Sequence, residues 1–290
     1  MFRGSFVAIV TPFTNSGRID RKALASLVEW HIQEGTDGIV CCGTTGEGCT
    51  LSDSERKTVT EICVGVAKGR VPIISGAGTC DTRQSVRLVE NAQKAGASGC
   101  LIVSPYYNKP TQRGCLAHFQ EIGKVGLPII AYHHPGRTGF RFSLDLVREL
   151  ESIPEVVSIK DSSGDLEFMD AVCKTSRLGV FAGDDDLTLE VLQRGGVGVI
   201  SVIGNIIPWG WGQMVRSQSK KLFSRYLPLC HANFIETNPQ CVKYVVSQMG
   251  RCKPIFRLPM VLPTEETQQE IKRVLLELSL PHTVRVQLGQ

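Results

Sequence analysis

Lys160 ends the run Val156-Val157-Ser158-Ile159-Lys160, just before the polar turn Asp161-Ser162-Ser163-Gly164. Unbroken Val and Ile mark a strand buried on both faces, and a charged residue on such a strand belongs only at its end. Burial disfavours an ammonium and favours the free amine, the form that attacks a ketone carbon to give an imine. A lysine that lays its stem along a strand end and keeps its head in water fits the same spacing. The residues that share its surroundings decide between the two.

Three further clusters carry groups suited to imine chemistry. Gly43-Thr44-Thr45-Gly46-Glu47 sets two hydroxyls and free backbone N–H groups in a glycine-flanked turn, a nest for a carboxylate. It lacks the lysine of a nucleotide-binding phosphate loop, and an ordinary strand–helix turn that needs glycine dihedrals reads the same way. Tyr132 ends another apolar run. A phenol of pKa near ~10 relays protons when a second hydroxyl bonds to it, and Thr44 and Tyr107 are the available partners. Arg137, in Gly136-Arg137-Thr138-Gly139, offers a bidentate fork for a second carboxylate. His133 and His134 alternate in facing, so at most one looks into the site. With no third ligand at metal spacing, both read as structural and no metal is expected.

These residues need a scaffold that brings distant strand ends together. Short apolar runs at 6–11, 38–41, 72–76, 100–104, 128–132, 156–160, 180–182 and 198–202 end 20 to 35 residues apart. That step is the size of a strand plus a crossover helix, as parallel strands require. Between the runs the period changes to helical: Leu24, Leu27, Val28 and Ile32 share one face. Capping or acidic residues at 53–56, 81–84 and 184–186 mark helix starts. Eight such units predict an α/β fold, a (β/α)8 TIM barrel. A doubly wound open sheet would carry a glycine-rich phosphate turn after its first strand, where this chain has Thr11-Pro12-Phe13. Residues 1–218 are the expected catalytic barrel. Residues 219–290 are expected to form a helical region packed on it, with helices over 219–235, 239–249 and 264–278 punctuated by Pro228, Pro239, Pro254 and Pro263. Strand C-termini of a TIM barrel share one mouth, so the glycine turn, Tyr132, Arg137, Lys160 and Gly183-Asp184-Asp185 should converge there.

Composition excludes other classes. The 290 residues are 42% hydrophobic and 21% charged, with a net charge of +4 and no basic run or aromatic-basic stripe, so nucleic acid is not an expected partner. No stretch of ~18 apolar residues suggests a membrane span, and the N-terminus lacks the apolar core of a signal peptide; the expected setting is the cytosol. Eleven scattered cysteines without a C-x-x-C pair read as reduced, mostly buried thiols.

Taken together, Gly43-Thr44-Thr45-Gly46-Glu47, Ser104-Pro105-Tyr106-Tyr107-Asn108, Tyr132 followed by Pro135-Gly136-Arg137-Thr138-Gly139, and Ile159-Lys160-Asp161-Ser162-Ser163-Gly164 resemble the dihydrodipicolinate synthase/N-acetylneuraminate lyase superfamily. The resemblance covers essentially the whole chain, including Gly198-Val199-Ile200-Ser201-Val202, Glu236-Thr237-Asn238-Pro239 and Arg257-Leu258-Pro259. It is nearest to the branch that condenses pyruvate with L-aspartate 4-semialdehyde on the diaminopimelate route to lysine. The resemblance implies a cytoplasmic class I lyase, a homotetramer that needs no cofactor. It implies an imine on Lys160 and a proton relay of Tyr132, Thr44 and Tyr107, the last donated by a neighbouring subunit. Thr44 and Thr45 would hold the pyruvate carboxylate, Arg137 that of the aldehyde, and the backbone of Gly183 and Ile200 would line the pocket. The chain departs from the family where Tyr-Asn-Val-Pro becomes Tyr132-His133-His134-Pro135 and Glu-Ser-Ala becomes Glu47-Gly48-Cys49. Lysine-inhibited relatives carry His, His, Asn and Glu where this chain has Asp53, Arg56, Cys80 and Gln84, which implies weak feedback by lysine. Sister pyruvate aldolases acting on sugar acids share the lysine and tyrosine but generally not the Gly-Arg-Thr-Gly loop. A non-catalytic barrel would have lost Lys160 or Tyr132.

Overall fold

Eight β-branched runs form eight parallel strands that close on themselves in sequence order. The computed structural model describes residues 2–278. Its strands are β1 (Gly4–Ala8), β2 (Gly38–Cys41), β3 (Ile73–Gly76) and β4 (Gly99–Val103). They continue with β5 (Ile129–His133), β6 (Val156–Asp161), β7 (Gly179–Ala182) and β8 (Gly198–Ser201). The expected strand positions hold to within a residue or two except at β1, which ends at Ala8 where the sequence suggested residue 11. Beyond Ile9 the Val10 amide donates to Asn205 Oδ1 (3.1 Å), and Asn205 Nδ2 donates to the Ala8 carbonyl (2.7 Å), so a side chain replaces the next strand partner.

The crossovers are α1 (Arg21–Gln33), α2 (Asp53–Ala67), α3 (Thr82–Lys94) and α4 (Gln112–Gly123). A single turn, α5 (Pro135–Thr138), follows β5 before α6 (Leu144–Glu151), and α7 (Leu166–Thr175), α8 (Thr188–Gln193) and α9 (Pro208–Ser217) complete the ring. Local signals set the starts: Ser52 caps α2 in a reciprocal box with Glu55, and Asp81 caps α3. The Asp184–Asp186 run does not cap α8 as expected. Asp185 instead turns inward, and its Oδ2 accepts from the Val202 and Ile203 amides at 2.9 Å each, fastening the end of β8.

Alternation along each strand makes two cores. Phe6, Ala8, Val40, Ile74, Leu101, Ile130, Tyr132, Phe181 and Ile200 fill the barrel. The Phe6 ring lies where a Cβ on Gly38 would be, 2.4 Å away, so the barrel floor depends on that missing side chain. Residues of opposite parity, such as Val7, Ile39, Ile102 and Ile159, pack outward against the helices.

The C-terminal region forms α10 (Lys220–Ala232), α11 (Gln240–Gln248) and α12 (Glu265–Glu277), close to the expected ranges. The expected segment 279–290 lies outside the described residues. Pro228 does not punctuate a helix boundary: it sits inside α10, at an exposed position. A fully buried ion pair ties α11 to the barrel. Lys243 Nζ donates to Glu47 Oε1 (2.5 Å) and rests 4.1 Å from the Phe13 ring centroid, while Glu47 Oε2 accepts from the Arg257 amide (3.0 Å). Burial pulls the Lys243 ammonium below its usual pKa, and the Glu47 carboxylate opposes that shift.

Removing one partner of a buried ion pair costs about 3–5 kcal/mol because the other charge is stranded. Lys243→Met should therefore lower stability in urea by that order. Glu47→Gln combined with Lys243→Met should recover most of it. A double variant as unstable as the single one would mean that shape, not charge, holds α11 in place.

Candidate active site

The pairing of β5 with β6 places Tyr132 opposite Lys160 and His133 opposite Asp161. Tyr132 and Lys160 point into the barrel and His133 and Asp161 out of it, as the period of two requires. Lys160 is 6% exposed, with its Nζ 4.3 Å from the Tyr132 ring centroid. Behind them His133 Nδ1 donates to Asp161 Oδ2 (2.7 Å), and His133 Nε2 accepts from the Phe142 amide (3.0 Å). Because the backbone N–H must donate, the second bond fixes the tautomer: the ring carries its proton on Nδ1. Asp161 Oδ1 takes the Ser163 amide (2.8 Å) and hydroxyl (2.6 Å), so the carboxylate is engaged on both oxygens. His133 thus has a structural place, stacked at 4.7 Å on Phe142.

The mouth above Lys160 is lined by Thr44, Thr45, Tyr132, Arg137, Gly183 and Lys160 itself, six of the residues picked from the sequence. Turn geometry holds the hydroxyl pair: Thr11 Oγ1 donates to the Gly46 carbonyl (2.6 Å), and Asn238 Nδ2 donates to Thr45 Oγ1 (3.0 Å). Arg137 is carried on α5, with Nη2 3.5 Å from the Asn238 carbonyl.

Two expected residues do not line the mouth with their side chains. The Ile200 side chain packs in the barrel interior, which its expected backbone role allows, and Val202, two residues on, lines the mouth. Tyr107 is 92% exposed, at φ +68 on the loop after β4, and lines neither the mouth nor the cavity beside it. That neighbouring cavity, about 210 Å³, shares Thr44, Tyr132 and Arg137 with the mouth and extends to Tyr106, Cys49 and Arg56. Arg56 is committed to backbone, donating to the Gly76 (2.8 Å) and Gly48 (2.6 Å) carbonyls. Asp53 receives Gln84 Nε2 at 3.4 Å.

Asp184 lies at the mouth as the convergence of strand ends predicts, whereas His134, read as structural, and Phe234 and Asn238, given no role there, also line it. His134 had a usable signal, the parity it shares with Tyr132 and Lys160's partner positions. Phe234, from the loop after α10, had none, and Asn238, from the same loop, had only its place in the Glu236-Thr237-Asn238-Pro239 segment of the resemblance. Burial lowers His134 to about 4, helped by the charges of Arg137 and Lys160, so its imidazole is neutral at neutral pH. Burial raises Asp184 to about 6, with Lys160 opposing and Asp186 adding to the shift. Among the described residues no group of three His, Cys, Asp or Glu side chains is placed to hold a metal ion.

Comparison with known proteins gives one answer. Residues 1–278 match the model of the dihydrodipicolinate synthetase family. The chain is 41% identical to 4-hydroxy-tetrahydrodipicolinate synthase of Rhodospirillum centenum, over 97% of this chain and 99% of that one. The crystal structure of dihydrodipicolinate synthase from Aquifex aeolicus superposes with a TM-score of 0.94 at 37% identity, covering 97% and 99% of the two chains. The chloride-inhibited dihydrodipicolinate synthase from Acinetobacter baumannii, crystallised with pyruvate, matches at 0.94 and 38% over 97% and 100%.

The tightest spot at the mouth is Gly183. A Cβ there would lie 1.9 Å from Ser162 Oγ and 2.7 Å from the Asp161 carbonyl oxygen, and the second clash is with backbone. Gly183→Ala should push the β7 end away from β6, costing about 1–3 kcal/mol of stability and at least tenfold in activity. Adding Ser162→Ala should restore little, because the carbonyl remains. Full recovery in the double variant would show that only the hydroxyl was in the way.

Proposed function

Because this chain belongs to the dihydrodipicolinate synthetase family, we propose that it condenses pyruvate with L-aspartate 4-semialdehyde to give 4-hydroxy-tetrahydrodipicolinate, on the diaminopimelate route to lysine. The observation that carries this reading is a buried lysine amine against a tyrosine ring at a barrel mouth that also holds two threonines and an arginine. Lys160 Nζ attacks the ketone carbon of pyruvate, and loss of water leaves an imine. The Thr44 and Thr45 turn receives the pyruvate carboxylate. The imine makes the methyl group acidic, and a proton passes from it through Tyr132 and Thr44 to give an enamine. The enamine carbon attacks the aldehyde while Arg137 holds the second carboxylate. The substrate's own amine then adds to the imine carbon and expels Lys160, closing the ring. Every group consumed is regenerated, and the protein supplies all of it.

Tyr107 enters this scheme from a second copy. Its exposure on a left-handed backbone, next to a cavity of about 210 Å³ walled by Thr44 and Tyr132, supports a tyrosine donated across an interface. We place the chain in a homotetramer built as a dimer of dimers, in the cytoplasm. All eleven cysteines carry free thiols, in keeping with a reducing compartment. No helix among the described residues is long and apolar enough to cross a membrane. The engagement of Arg56 with backbone and of Asp53 with Gln84 supports weak feedback by lysine.

An assay with pyruvate and aspartate semialdehyde, run beside N-acetylneuraminate, 2-keto-3-deoxygluconate and 4-hydroxy-2-oxoglutarate, tests the reading. Turnover should be confined to the first pair. Arg137→Ala should leave pyruvate imine formation intact and weaken use of the aldehyde by about 1.5–3 kcal/mol, the worth of a charge-assisted contact. Preferred cleavage of a sugar acid, or equal loss for both substrates on removing Arg137, would overturn it.

A further inference from the structure

His134 is unexplained by the scheme above, yet it occupies the mouth. Its ring stands 5.7 Å from the Tyr132 ring and shares the cavity wall with Lys160 and Arg137. Its Nδ1 is buried without a partner, against the turn where a Cβ on Gly136 would come within 3.6 Å. Nε2 is therefore the nitrogen that meets the cavity. Arg137 sits three residues on, at the end of the same short turn α5, whose amides at Arg137 and Thr138 both donate to the His134 carbonyl at 3.0 Å. Clamp and imidazole are thus fixed to one another by a single turn of backbone.

An α-amino acid presents its carboxylate and its ammonium on the same carbon, so a site that grips the carboxylate finds the ammonium within a few ångströms. Resting on the proposed function, we infer that His134 is a specificity-determining residue, whose neutral imidazole accepts a hydrogen bond from the ammonium of the second substrate while Arg137 holds its carboxylate. Burial among cations suits this role, because a protonated ring would repel the same ammonium. Asp184, at the end of β7, is the competing acceptor. It follows a different strand, without the backbone link to Arg137 that places His134.

The test compares aspartate semialdehyde with succinate semialdehyde, which has the same carboxylate and aldehyde but no amine. His134→Val should raise KM for aspartate semialdehyde at least tenfold. It should leave KM for pyruvate and imine formation at Lys160 unchanged, which also shows that the barrel is folded. The inhibition constant of succinate semialdehyde should move less than twofold. His134→Gln, whose carbonyl oxygen is again an acceptor, should recover most of the lost affinity. An unchanged KM for aspartate semialdehyde in His134→Val would overturn the inference and point to Asp184. Parallel losses for both aldehydes, or no rescue by His134→Gln, would overturn it in favour of packing. If the unaltered protein does not condense pyruvate with aspartate semialdehyde at all, the proposed function fails first and this inference with it.

Discussion

The register of β5 against β6 is the constraint on which the chemistry rests. A slip of β6 by one residue against β5 would turn Lys160 out of the barrel and bring Asp161 in, while Tyr132 stayed. The buried bond between His133 and Asp161 works against such a slip, since it forms only when the two residues stand opposite each other. Both partners are saturated by backbone amides or a serine, so neither gains from moving. A polar pair on the outer face of the barrel thereby positions Lys160 and Tyr132 on the inner face.

The second constraint comes from far along the chain. Parallel strands alone would leave the turn after β2 free to move, and that turn carries both threonines of the mouth. Three contacts from the C-terminal region fasten it: Asn238 to the Thr45 hydroxyl, and Lys243 and the Arg257 amide to the Glu47 carboxylate. Lys243 is out of water entirely, beneath Phe13, where a lone ammonium would be costly. The helical region is in this sense part of the active site's frame, though most of it lies outside the cavity.

How much of this was legible depends on whether a signal was local. Strands buried on both faces read as unbroken Val and Ile, so β2 to β8 and their ends could be placed from the sequence, and with them Lys160, Tyr132, Thr44, Thr45 and Gly183. Side-chain direction was harder. The Ile200 side chain packs in the barrel interior, and Val202, just past β8, is the residue whose place at the mouth the strand pattern did not single out. Both histidines read as structural, and parity separated them without saying which one met solvent in a cavity. Lys243 carries no local sequence signal of its role because its partner is nearly two hundred residues away. Tyr107 could be assigned only by resemblance, and in the single chain it is exposed and lines neither cavity.

The central claim is that Lys160 is the nucleophile, and covalent trapping tests it most directly. The protein is incubated with pyruvate, reduced with borohydride, digested and analysed by peptide mass. One reduced pyruvyl group per chain, on the peptide that contains Lys160, is the expected result. An adduct on any other lysine, or none at all, would contradict the account.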